Sequence, residues 1–149
     1  MLIRPVVPND FDAWLPLWDG YNAFYGREGA TALPRDVTDV LWSRFFEADE
    51  PVHGLVAVDG DRLLGLTNYL FHRSTTQIAR SCYLQDLFTA PDARGQGVGR
   101  ALIDGVYRAA DRAGAARVYW LTHTTNEAGR ALYDKVAEHS GFIVYARTN

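Results

Sequence analysis

A glycine-rich segment, Arg94-Gly95-Gln96-Gly97-Val98-Gly99-Arg100, joins a strand-like run at residues 83–89 to a helix-like run at residues 101–113. This order restricts the chain to folds in which a strand enters a helix through a tight turn. The first backbone N–H groups of such a helix lack acceptors, and the helix dipole adds partial positive charge there. The segment therefore predicts an anion site, and its glycines allow phosphate groups to approach the backbone closely.

Two common nucleotide-binding motifs do not fit this loop. A Walker A loop requires a lysine and a hydroxyl residue after its last glycine, but the chain has Arg100 and Ala101 at the corresponding positions. A dinucleotide-binding fingerprint requires three glycines directly after the strand, but Arg100 replaces the third glycine and residues 90–93 intervene. The chain therefore lacks residues that a Walker A loop and a dinucleotide-binding loop each require, and both classes are excluded.

A different pattern, Arg/Gln-x-x-Gly-x-Gly/Ala, is met by Arg94, Gly97 and Gly99. It follows the strand Leu84-Gln85-Asp86-Leu87-Phe88-Thr89 and a turn that contains Pro91. Together these residues resemble the acetyl-CoA pyrophosphate loop of the GCN5-related N-acetyltransferases (GNAT). The resemblance implies acetyl-CoA as co-substrate, bound by Leu87, Phe88, Thr89, Arg94, Gly95, Gln96, Gly97, Val98, Gly99 and Arg100.

A second motif extends the resemblance towards the C-terminus. The strand-like residues 119–122 are followed by Asn126 and by Ala131-Leu132-Tyr133, as in the same family. The sequence of this motif and of residues 141–145 resembles that of the fungal histone and polyamine acetyltransferases and of the diamine acetyltransferases. The resemblance implies that Asn126 contributes to cofactor binding and that Tyr133 is the acid that protonates the departing CoA thiolate.

The periodicity of apolar residues predicts the order β-α-α-β-β-β-α-β-α-β in a single domain, residues 1–149. A hairpin signal at Asp59-Gly60-Asp61 precedes βαβ patterns later in the chain. We therefore expect an α/β (mixed α+β) fold, with a central mixed β-sheet flanked by helices on both faces. The resemblance implies the same, GNAT-like, order of elements. The predicted strands lie at 2–7, 52–58, 63–71, 81–89, 118–122 and 142–146, and the predicted helices begin near 11, 34, 101 and 126.

Acetyl transfer to an amine requires a group that removes a proton from the ammonium form. Many relatives, including polyamine acetyltransferases, have Glu-Asp on this strand, whereas the chain has Gln85-Asp86. An amide cannot accept that proton, so Gln85 is left to orient substrate or water. Asp86 has three open roles: direct base, base through water, or binder of the cationic part of the substrate. We list Gln85, Tyr21, Tyr25 and Glu28 as residues that could bind the substrate.

Composition narrows the choice of partners. The net charge is −3 and no long run of Lys or Arg occurs, so we expect no nucleic-acid partner. No apolar run reaches the length of a membrane helix, the start lacks a signal-peptide pattern, and we expect a cytoplasmic protein without a membrane partner. Cys82 is the only cysteine and the four histidines are dispersed, so we expect no metal. The resemblance also implies a homodimer.

Two functions of different classes follow. The first is an N-acetyltransferase that moves an acetyl group from acetyl-CoA to a primary amine by direct attack in a ternary complex. Its acceptor is a small-molecule amine, a polyamine or a lysine-type amine. The alternative is a non-catalytic acyl-CoA-binding module or sensor, an alternative that the neutral Gln85 keeps open.

Overall fold

The structure is a computed structural model that describes residues 1–149. It contains five strands and four α-helices, joined by short 3-10 turns. In chain order these are Leu2–Pro5 (β1), Phe11–Phe24 (α1), Arg35–Arg44 (α2), Val52–Asp59 (β2), Arg62–His72 (β3), Ser81–Thr89 (β4), Val98–Arg112 (α3), Arg117–Tyr119 (β5) and Glu127–Val136 (α4).

The five strands form one sheet in the order β1-β2-β3-β4-β5. The first three pairings are antiparallel, and β4 pairs with β5 in parallel across the connection through α3. The predicted hairpin joins β2 to β3, where Gly60 adopts a positive φ of 58° that favours glycine. The mixed sheet confirms the predicted fold class.

Helices cover both faces of the sheet. A Cβ added to Gly65 on β3 would lie 2.6 Å from the Phe88 carbonyl oxygen and 3.0 Å from Val98, so this face of β3 lies directly against α3. The opposite face, which includes Phe88, packs against α1, where Gly20 leaves room for the Phe88 ring. No helix combines the length and the apolar character that crossing a membrane requires.

The middle of the sheet contains an irregularity that positions the candidate site. Asn68 of β3 is opposite Asp86 of β4, but the next residue, Tyr69, is opposite Leu84. Gln85 is therefore an extra residue with no partner on β3, a β-bulge. Bulges bend a strand and redirect its side chains, and they are frequent beside active sites.

The strands β4 and β5 diverge just beyond this point. Their pairing covers only residues 81–83 with residues 117–119, whereas β4 continues to Thr89. From Leu84 onward, one edge of β4 thus has no strand beside it. This free edge leads directly to the glycine-rich loop.

The prediction of a closing strand at residues 142–146 is wrong for this structure. Residues 137–149 form no helix or strand, and α4 ends at Val136 rather than near residue 139. The side chains of Phe142 and Tyr145 are 87% and 90% exposed. Their composition suits a strand, but a strand also needs a hydrogen-bonded neighbour, and β5 ends at Tyr119 rather than at residue 122.

Candidate active site

The loop before α3 has the geometry of an anion site. Gly95 and Gly97 have φ values of 77° and 81°, in the left-handed region that glycine adopts without strain. The backbone N–H groups of residues 95–100 donate to no acceptor within the protein. The first hydrogen bond of the helix is donated by Ala101 to the Gly97 carbonyl oxygen at 3.0 Å. Six free donors at a helix N-terminus can bind a pyrophosphate.

Side chains around the loop add charge without obstructing it. Arg94 and Arg100 are exposed, and the Arg94 guanidinium lies 5.7 Å from the centre of the Phe88 ring. The Gln96 side chain donates to the Asp92 carbonyl oxygen at 3.4 Å. A Cβ at Gly99 would lie 3.3 Å from Leu132, so glycine at this position lets α4 approach the start of α3.

The three predicted strand residues lie on the edge that leads to the loop. Leu87 and Thr89 are half-buried, and Phe88 is buried against Tyr21 of α1. Because β5 does not extend this far, an extended ligand can bind along β4 as an additional strand would. The free edge of β4 and the glycine-rich loop thus form one continuous surface.

A cavity of about 730 Å³ opens on the α1 face of the sheet. Its walls come from α1, α2, β3, β4 and the residues that follow β5. Three of the predicted substrate-binding residues, Tyr21, Tyr25 and Gln85, line it, together with Asp86. Glu28 does not line it; this side chain is exposed, and only its backbone bonds to Thr31.

Asp86 is the one acidic residue that lines the cavity. Its side chain lies almost entirely out of solvent, with 9% of the residue exposed, and one carboxylate oxygen accepts a hydrogen bond from Asn68 Nδ2 at 2.9 Å. Burial raises the pKa of this carboxyl, although the Asn68 amide, the nearby Tyr21 hydroxyl and the Arg27 charge oppose the shift. A carboxylate whose pKa is raised is a better proton acceptor than an exposed one.

Asn68 is a site residue that the sequence reasoning missed. It is 3% exposed and lines the cavity, and its Oδ1 atom is buried without a hydrogen-bond partner. A buried acceptor without a donor is costly unless a ligand supplies one. The signal in the sequence was the polar pair Thr67-Asn68 within the apolar strand of residues 63–71.

Tyr133 lies on α4 and is not among the residues that line the cavity. Its ring packs edge-on against Trp120, with 5.5 Å between the ring centres, and its hydroxyl donates to no acceptor in the protein. Burial, reinforced by the nearby Tyr25 hydroxyl, raises the pKa of Tyr133, so the phenol is protonated at neutral pH. Tyr25 is also close enough to Asp86 for the carboxylate charge to raise the pKa of Tyr25. Tyr25 is thus near both predicted catalytic residues.

Asn126 has a clear local role. Its Oδ1 atom accepts a hydrogen bond from the Gly129 N–H at 3.1 Å, and its Nδ2 donates to the Thr122 hydroxyl at 3.0 Å. The residue is the N-cap of α4, the helix that carries Tyr133. Through this cap, Asn126 fixes the start of α4 against the segment that follows β5.

Arg27, which follows α1, is a second residue that sequence reasoning missed. It lines the cavity and lies in the sequence between Tyr25 and Glu28, two of the predicted substrate-binding residues.

Cys82 is fully buried, and burial raises the pKa of its thiol to about 11. No three His, Cys, Asp or Glu side chains are grouped so that they could hold a metal ion.

Comparison with known proteins agrees with the geometry. The model of the family described as acetyltransferase (GNAT) family matches residues 14–137. The D-amino-acid N-acetyltransferase HPA3 of Saccharomyces cerevisiae is 33% identical over 150 residues, which cover 99% of this chain and 90% of that protein.

Two solved structures share the fold. The crystal structure of a probable acetyltransferase has a TM-score of 0.86 at 24% identity and covers 100% of this chain and 98% of its own. The aminoglycoside acetyltransferase AAC(6')-Iy, in complex with the bisubstrate analogue CoA-S-monomethyl-acetylneamine, has a TM-score of 0.83 at 16% identity. That match covers 99% of this chain and 97% of the other.

We expect Gly97→Ala to weaken CoA binding about tenfold or more, because a strained loop misaligns N–H donors to a charged ligand. Gly60→Ala is the matched control. Gly60 also has a positive φ, and neither residue has an atom within 4 Å of an added Cβ. Both variants should lose about 1 kcal/mol or more of unfolding free energy, but only Gly97→Ala should weaken binding in calorimetry. Unchanged affinity in Gly97→Ala would contradict the assignment of the loop.

Proposed function

Because the chain belongs to the acetyltransferase (GNAT) family, we propose that it transfers an acetyl group from acetyl-CoA to the primary amine of a small molecule. Acetyl-CoA is the co-substrate of this family, and the chain is an acetyl-CoA-dependent N-acetyltransferase. The observation that carries the proposed acceptor is the buried carboxylate of Asp86 in a cavity next to the free edge of β4.

The proposed position of acetyl-CoA is based on the backbone N–H groups of the glycine-rich loop that have no acceptor in the protein. The pyrophosphate binds the N–H groups of residues 95–100, with Arg94 and Arg100 adding positive charge. The pantetheine arm lies along β4 from Thr89 towards Leu87, so the thioester reaches the bulge at Gln85. A backbone N–H of this strand then stabilises the oxyanion that forms during attack.

The amine enters as an ammonium ion and loses a proton to Asp86, directly or through water. The lone pair then attacks the thioester carbonyl, the C–N bond forms, and the C–S bond breaks. A second proton leaves the nitrogen as the amide forms. Because the CoA thiolate takes up one proton, the complete reaction releases one proton per acetyl group transferred.

Tyr133 is proposed to assist the departing thiolate. Its raised pKa keeps the phenol protonated, so the hydroxyl can donate a hydrogen bond to the sulfur as negative charge develops. Since a free thiol has a pKa of about 8.5, below that of a phenol, full proton transfer from Tyr133 has to be followed by reprotonation from solvent. The hydrogen bond itself lowers the barrier to C–S cleavage.

The acceptor class is the finer part of the proposal. The printed name of the Saccharomyces cerevisiae relative gives D-amino acids as the acceptors of that protein. Small amines, polyamines, lysine-type amines and amino acids are therefore all included in the panel that tests this chain. A cytoplasmic location, where acetyl-CoA is available, remains a prediction.

Tyr133→Phe should reduce kcat with the best amine of that panel by about 100-fold, because the departing sulfur loses its hydrogen-bond donor. The measurement is the release of CoA thiol from acetyl-CoA. Calorimetry should show nearly unchanged acetyl-CoA affinity, because the ring remains in place against Trp120. Tyr107→Phe is a control, since the Tyr107 hydroxyl donates to the Val136 carbonyl oxygen outside the cavity. Full turnover in Tyr133→Phe would remove Tyr133 from the mechanism.

Asp86→Asn should lower kcat/KM for the amine by about 100-fold or more, because an amide cannot accept the proton. In the wild type, kcat/KM should fall with decreasing pH as Asp86 becomes protonated, and burial places this fall above the usual carboxyl pKa of about 3.9. The variant should lack that dependence.

The free energy of unfolding of Asp86→Asn distinguishes loss of the proton acceptor from misfolding. Since the raised pKa means that the charged carboxylate is disfavoured in the folded state, Asp86→Asn should not lower the free energy of unfolding at pH 7. Urea denaturation measures it. A variant that is both inactive and strongly destabilised would argue for a structural role of Asp86 instead.

We also propose a homodimer that covers the exposed C-terminal segment, residues 142–145. Four consecutive large apolar side chains there are each at least 65% exposed, which is unusual for a monomer in water. Light scattering should give twice the chain mass of 16.7 kDa, and Ile143→Asp should give the single mass. Ile78→Asp, at a fully exposed isoleucine outside this segment, is the control. A monomeric wild type at micromolar concentration would contradict the proposal.

A further inference from the structure

The cavity is lined by more basic than acidic residues. Asp86 is its single acid, whereas Arg27, Arg44 and His123 also line it. Arg44 is close to Glu50, with 3.8 Å between the charged atoms. Arg27 has no carboxylate within 4.0 Å. The cavity therefore contains one guanidinium without a protein counter-ion.

Arg27 is held in place by contacts that leave its charged end available. Its Nε donates to Asn22 Oδ1 at 2.6 Å, and its backbone N–H donates to the Asn22 carbonyl oxygen at 2.9 Å. The guanidinium carbon lies 5.8 Å from the centre of the Tyr21 ring and 5.6 Å from that of Tyr25. Neither Nη group donates to a protein acceptor. A guanidinium fixed in this way can bind a carboxylate through two parallel hydrogen bonds.

Arg27 and Asp86 line the same cavity, and no ion pair joins them. Both charged groups are therefore available to a ligand in that cavity. Asn68 adds its unpartnered Oδ1 atom beside Asp86. The cavity thus has acceptors for an ammonium group at Asp86 and Asn68 and donors for a carboxylate at Arg27.

We infer that the acceptor is an α-amino acid, whose ammonium group meets Asp86 and Asn68 and whose carboxylate binds Arg27. The inference rests on the proposed acetyl transfer at this site. A diamine or polyamine fits less well, because its second ammonium group would meet arginine rather than a second carboxylate. The neutral Gln85 side chain adds no negative charge that would repel the carboxylate.

The other residues that line the cavity indicate which kind of side chain the acceptor amino acid has. Twelve of the 20 lining residues are hydrophobic, and those from α1 and α2 include Trp18, Val37 and Leu41. A side chain that extends away from Arg27 and Asp86 therefore meets aromatic and aliphatic surface. The acceptor has an apolar or aromatic side chain.

The test compares phenylalanine, as its D and L forms, with phenethylamine, which lacks only the carboxylate. In the wild type, kcat/KM for at least one form of phenylalanine should exceed that for phenethylamine by about 30-fold or more. Arg27→Gln should remove this preference, mainly by raising KM for phenylalanine, and kcat/KM for phenethylamine should fall much less than that for phenylalanine. Arg27→Lys, which keeps the charge but not the paired donors, should retain part of the preference.

Two further variants control for structural effects. Arg44→Gln removes a neighbouring positive charge that Glu50 already compensates, so it should change the preference by less than about threefold. Arg27→Glu should reverse the order, favouring 1,5-diaminopentane over phenylalanine, a switch that a merely damaged cavity would not produce. Calorimetry of phenylalanine with the CoA complex of each variant measures the same preference without turnover.

The outcomes separate the inference from the proposed function. If phenethylamine is acetylated as well as phenylalanine by the wild type, acetyl transfer stands and the carboxylate site is wrong. Equal losses for both substrates in Arg27→Gln would also overturn the role of Arg27. If no substrate releases CoA thiol but phenylalanine binds in an Arg27-dependent way, the proposed function fails and the binding inference holds. Absence of Arg27-dependent binding overturns the inference.

Discussion

The divergence of β4 from β5 is the constraint on which the rest of the site depends. The two strands pair over three residues, and the bulge at Gln85 bends β4 where that pairing ends. One consequence is a free backbone edge that leads to the donors of residues 95–100. The other is that Asp86 faces α1, so the cofactor edge and the acceptor cavity meet on one strand.

The buried charge of Asp86 needs the surroundings that it has. A carboxylate out of water is unfavourable unless donors or opposite charges compensate it. Here the Asn68 amide donates directly, and the positive charge of Arg27 on the same cavity lining also favours the carboxylate. The compensation is incomplete, as the raised pKa shows, and an ammonium group would complete it. Because the substrate's ammonium group, rather than a protein group, compensates this charge, Asp86 can both bind the ammonium group and accept its proton.

The parts that could be predicted from the sequence are those that local rules control. The glycine-rich loop is encoded by residues adjacent in the chain, because Gly95 and Gly97 supply the positive φ values. The bounds of β2, β3 and β4 agree to within one residue, since β-rich runs there end at turn signals such as Asp59-Gly60-Asp61. The cavity residues Arg27 and Asn68 were missed because their importance comes from β3 and α1 meeting at the bulge, which no local pattern encodes. The closing strand failed for a related reason, because its composition favours a strand but its partner is absent.

Gln85 and Arg27 are best understood together. A glutamate at position 85 would place a second negative charge on the cavity lining next to Asp86, which would favour a second ammonium group. With glutamine there, the lining has one acid and an uncompensated arginine, so its charges match a molecule that carries one group of each sign. The lack of a second carboxylate is therefore compatible with catalysis. Asp86 can accept the proton alone, and the neutral amide leaves the field of Arg27 free to hold the other end of the acceptor.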